Sequence, residues 1–91
     1  GSHVLAYFET TFLQYALMPI GKVKWLDNPT GYGFIQPDDG SVDVFFHISA
    51  FQENGLRPLQ KGDSVFFKSE KSPRGPEAIT IALLEAVPDY S

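Results

Sequence analysis

Between residues 22 and 84 the apolar side chains gather into five short runs rich in Val, Ile and Phe, at 22–26, 31–36, 43–48, 64–69 and 77–84. Runs of this length with period-two alternation predict strands. Glycine and proline punctuate the region at Gly21, Pro29, Gly31, Gly33, Pro37, Gly40, Gly55, Pro58, Gly62, Pro73, Gly75 and Pro76. Long helices are therefore excluded there. The turn signal Pro37-Asp38-Asp39-Gly40-Ser41 joins the second and third runs as in a hairpin, whereas residues 49–62 form a longer, mixed connection. Three strands, a long crossing and two more strands predict a small closed Greek-key barrel, because closure removes the sheet edges that invite aggregation.

Alternation also assigns faces. Tyr32 and Phe34 fall on one side of the second run and Ile35 on the other, with Gly31 and Gly33 leaving space between the rings. In the third run Phe45 and His47 share a face, opposite Val44, Phe46 and Ile48. If the hairpin pairs these runs, four rings lie on one surface while the aliphatic side supplies a core. A lone Phe in a strand is a core residue more often than not; the paired alternation reverses that reading. Base-on-aromatic stacking contributes roughly 1–3 kcal/mol per base and tolerates any sequence. Phe66, between the inward Val65 and Phe67, is expected to be an exposed ring away from this platform and a candidate seat for the N-terminal segment.

At 91 residues the chain holds one domain, with no cysteine for disulfides, thiolate metal sites or nucleophiles. That composition fits a reducing, cytoplasmic setting. Residues 1–3 read as a cloning remnant, 4–20 as an apolar N-terminal extension, 21–84 as the barrel domain and 85–91 as a C-terminal tail. Residues 10–17 suit a short amphipathic helix or a strand, and the pattern leaves the choice open. The apolar Tyr7, Phe8, Phe12, Leu13 and Tyr15 predict that the extension docks on its own barrel or on a neighbour. Met18-Pro19-Ile20 reads as a natural start, with the arm before it vector-encoded, an upstream extension or an engineered addition. The stretch 4–20 is broken by Glu9, Thr10, Thr11 and Gln14 and falls short of a membrane span.

A net charge of −4 argues against a duplex binder that works mainly through phosphates. From residue 21 to 83, however, seven basic residues meet eight acidic ones, a balance of −1. Few phosphate contacts suffice where stacking leads.

The segments GKVKW, GYGFI and DVFFHIS resemble, in order and spacing, the opening and the two nucleic-acid motifs of bacterial cold-shock proteins and related cold-shock domains. PDDGS joins the two motifs, ENGLRPLQKGDSVFF is similar to the family's long loop and fourth strand, and an RGP-x-A element follows. The resemblance covers residues 21 to 83. It implies an all-β, five-stranded antiparallel OB-fold barrel that binds single-stranded RNA or DNA without a cofactor or metal. The implied face comprises Trp25, Tyr32, Phe34, Phe45 and His47, fringed by Lys22, Lys24 and Arg74. Strict alternation puts Trp25 on the core side with Val23, so the resemblance requires a bulge near Lys24. Leu26 and Ile48 stand where the family has phenylalanine, Leu56 where it has an aromatic, and Thr30 where lysine is common, which predicts weaker binding than a typical member shows.

Other chemistry is thin. His47 lacks a second histidine or cysteine at ligand spacing, Asp38, Asp39 and Asp43 are out of register for a calcium loop, and Gly31-Tyr32-Gly33 lacks the lysine of a phosphate loop. No active site is indicated. The first reading is a single-strand binder, preferring pyrimidine-rich segments by resemblance and acting as an RNA chaperone or regulator. The second is an OB-type protein-interaction module, a homo-oligomer through the N-terminal extension, with weak nucleic-acid binding.

Overall fold

Period-two alternation is realised as a sheet closed on itself. The computed structural model describes residues 17–51 and 57–86. Its strands are β1 (Ile20–Asp27), β2 (Tyr32–Pro37), β3 (Val44–His47), β4 (Ser64–Ser72) and β5 (Gly75–Leu83), closing in the order β1-β2-β3-β5-β4. The β1–β2, β2–β3, β1–β4 and β4–β5 ladders are antiparallel, and a parallel bridge between Phe45 and Glu77 closes β3 on β5. This is the five-stranded OB barrel that the spacing and the resemblance imply.

Every strand sends a residue to the centre: Val23, Ile35, Phe46, Val65 and Ile81 are each 0 or 1% exposed. Phe51 and Leu59, from the long connection, join them. Strand boundaries shift from expectation by up to three residues. Ile48 leaves β3 for a 3-10 turn, Ile48–Ala50, and Leu84 leaves β5 for another, Leu84–Ala86. The β4–β5 hairpin is longer than the apolar runs suggest, because its outer half is polar and the apolar pattern fades while backbone pairing continues to Ser72–Gly75. Ser72 holds that turn: its hydroxyl donates to the Gly75 carbonyl at 2.7 Å and accepts from the Arg74 N–H at 3.2 Å.

The end of the long connection is pinned by charge. Arg57 grips Asp63 with two N–H groups, at 2.9 and 3.0 Å, and reaches Glu85 with Nε at 2.7 Å. Burial pushes the Asp63 carboxyl up, but the Arg57 guanidinium and the Gln60 N–H outweigh it and leave the group below the ordinary carboxylate range. Val23 then docks on this corner, with its N–H on the Asp63 carbonyl at 2.9 Å and its carbonyl accepting from Gly62 N–H at 2.8 Å.

Phe66 departs from its expected exposure. Its ring lies outside the core cluster, as alternation predicts, yet it is only 9% exposed, with Ile20 and Ala82 as its partners across the ladders. Alternation reports which face a side chain takes and not what covers that face. Helix or strand at residues 10–16, residues 4–16 of the extension, and Leu56 lie outside the described residues; of the extension's last four residues, Leu17 is exposed, the Pro19 carbonyl accepts from the Phe67 N–H at 3.1 Å, and Ile20 opens β1 instead of preceding it. Among the described residues no helix is long and apolar enough to cross a membrane.

Candidate nucleic-acid interface

The β2–β3 ladder sets Tyr32 opposite His47 and Phe34 opposite Phe45, so the four rings share the outer face. They touch as a sheet of rings: Tyr32 stacks on Phe45 with centroids 5.2 Å apart, meets His47 edge-on at 4.7 Å, and Phe34 meets Phe45 edge-on at 5.7 Å. Trp25 extends the row, its centroid 6.3 Å from that of Phe34. It reaches this face because the β1–β2 register shifts between Val23 and Trp25, at the position where a bulge is needed. Trp25, Tyr32 and Phe34 are 48, 40 and 38% exposed, and Phe45 and His47 are half-buried beside them.

Gly33 makes the close approach of β1 and β2 possible. A Cβ there would lie 2.3 Å from the Trp25 carbonyl oxygen and 2.7 Å from the Phe46 ring. Gly31 turns the chain into β2 at φ +79°, and its N–H and carbonyl tie Asp27 to Ile48. Thr30 and Asp27 bond to each other beside this turn, so the hydroxyl that replaces a cationic side chain is already engaged.

His47 is oriented by Ser49, the last residue of the DVFFHIS segment, to which the sequence reading gave no role. Its Nδ1 accepts from the Ser49 backbone N–H at 3.1 Å and lies 2.9 Å from the Ser49 hydroxyl. An accepting Nδ1 places the neutral ring's proton on Nε2.

The basic residues divide. Arg74, on the β4–β5 turn, holds its guanidinium 5.2 Å from the Phe45 centroid, a cation–π contact at the edge of the ring sheet. Lys24 is paired with Asp43 at 2.9 Å, both partners partly exposed. Lys22, opposite Gln36 in β1–β2, stands two residues along the same face from the Trp25–Phe34 pair and makes no side-chain hydrogen bond or ion pair among the described residues. Leu26 and Ile48, aliphatic where the resembled family is aromatic, pack against the core and line a cleft of about 130 Å³ with Gly31, Phe51 and Leu59. No group of three or more metal-ligating side chains occurs among the described residues.

A closed five-stranded barrel that turns a contiguous row of rings and a basic fringe to solvent defines an OB-type nucleic-acid-binding domain. The family profile of the 'Cold-shock' DNA-binding domain matches residues 20–84. The "Major cold shock protein" of Micrococcus luteus is 46% identical over 67 residues, covering 74% of this chain and all of that protein. "Cold shock-like protein CspJ" of Salmonella typhi is 47% identical over 64 residues, 70% of this chain and 91% of that protein. Among solved structures, "drosophila Unr CSD456" superposes with a TM-score of 0.61 at 25% identity over 80% of this chain, which spans 28% of that longer chain. The chain belongs to the cold-shock domain family of the bacterial cold-shock proteins.

Proposed function

We propose that this domain binds single-stranded RNA or DNA by stacking successive bases on Trp25, Tyr32, Phe34, Phe45 and His47, with Lys22, Lys24 and Arg74 meeting phosphates along the border. The observation that carries this reading is the continuity of the exposed rings across β1, β2 and β3. Duplex bases hide their faces against one another, so such a surface gains most from unpaired strands. Trapping unpaired bases prevents hairpins from reforming, which is the activity of an RNA chaperone and requires no nucleotide hydrolysis. Because Trp25 is the only tryptophan, its fluorescence reports the site directly. Oligo-dT is expected to quench it in a saturable manner and a duplex of equal length far less; equal quenching by both would contradict the stacking reading.

A further inference from the structure

The bridge that closes the barrel also brings a carboxylate to the platform. Phe45 and Glu77 are partners in the parallel β3–β5 contact. Val44 and Phe46 are buried on one side of β3 and Ala78 on the same side of β5, so Phe45 and Glu77 both face outward. Strands lie about 4.8 Å apart, so the Glu77 side chain leaves the sheet one strand spacing from Phe45 on the same face, within reach of a base resting on that ring. Glu77 makes no side-chain hydrogen bond or ion pair among the described residues. Its antiparallel neighbour is Glu70, and like charges directly opposed are unfavourable. Arg74, over the same ring, stands as a donor to the base or the backbone.

We propose that Glu77 makes the Phe45 position selective for a base with an exocyclic amino group, cytosine in preference to thymine or uracil. The inference rests on the single-strand reading above. The pyrimidines offer similar π faces, so stacking separates them little. Their edges differ: cytosine presents the N4 amino group as a donor, whereas thymine presents the O4 carbonyl as an acceptor. A carboxylate accepts from the first and is repelled by the second. Arg74, beside the same ring, is a donor to the O2 carbonyl that all three pyrimidines share, so the discrimination falls to Glu77. A platform that is sequence-tolerant elsewhere thereby acquires one discriminating place.

The test compares oligo-dC and oligo-dT of about seven nucleotides, a length within the usual OB-fold site size, at neutral pH by Trp25 fluorescence. It uses the wild type, Glu77→Gln and Glu70→Gln. Removing a negative charge raises affinity for both oligomers, so the quantity read is the ratio of the two dissociation constants. The wild-type ratio is expected to favour oligo-dC over oligo-dT by about fivefold more than the Glu77→Gln ratio does, the scale of a base-edge contact at a partly solvated site. Glu70→Gln, the same charge change one strand further from Phe45, is expected to keep the wild-type ratio. An unchanged ratio in Glu77→Gln, or an equal shift in Glu70→Gln, overturns the selectivity while leaving the single-strand reading intact. Absence of binding by every oligomer to the wild type overturns both.

Discussion

At the scale of single residues, the platform is governed by close contacts that the linear sequence announces unevenly. The glycines between the rings were legible as space, and the structure shows why Gly33 is demanding: the atom nearest a new Cβ is the Trp25 backbone oxygen, which cannot move aside alone. Gly33→Ala is expected to cost about 1–3 kcal/mol, as overpacking does, and a thermal melt within a degree of wild type would contradict this. The Lys24–Asp43 pair, nineteen residues apart, could not be read from spacing because it depends on how β1 lies over the β3 entrance. In the free protein Asp43 holds the Lys24 ammonium, which the proposed function assigns to phosphate. Asp43→Asn is accordingly expected to tighten oligo-dT binding about two- to fivefold at low salt, with the gain shrinking at high salt as exposed charges are screened. A gain independent of salt would show that Lys24 is not the group released.

Among the elements, alternation gave the faces of β2 and β3 directly, since neither strand is interrupted. It failed for β1. There the bulge after Val23 changes the face, and at that point Val23 bonds to Gly62 and Asp63, some forty residues downstream. It also failed for the cover over Phe66 and for the polar half of the β4–β5 hairpin, where pairing continues without an apolar signal. The Arg57–Asp63–Glu85 network, invisible in any motif, ties the long connection to the ends of β4 and β5. Because Asp63 has a lowered folded-state pKa, its stabilising contribution is complete above the unfolded carboxylate value near 4 and is lost as pH falls through the folded value. Asp63→Asn is expected to lower the Tm at pH 7 by roughly 10 °C, corresponding to about 1–2 kcal/mol in a domain of this size. That deficit should narrow in strong acid, where wild-type Asp63 is itself protonated. A deficit of constant size from neutral to acid pH would contradict the assignment.

For the molecule as a whole, the sequence conveyed the closed barrel because five strands, one hairpin signal and one long crossing leave few other topologies. It conveyed less of the salt dependence, which follows from the distribution of charge over the finished surface. With an overall charge of −4 and one border lysine paired to Asp43, binding releases few counterions. Two or three phosphate contacts on a single strand give a slope of log K against log salt of about −1.5 to −2; a slope steeper than about −4 would mean that phosphates lead and rings follow.

The most direct examination of the ring sheet is the affinity of a Phe34→Ala, Phe45→Ala double variant for oligo-dT, measured together with its thermal melt. Both side chains face solvent, so the variant should remain folded. Loss of two stacking surfaces should weaken binding by about 30-fold or more. A folded variant that retains wild-type affinity would place the nucleic acid on another surface of the barrel.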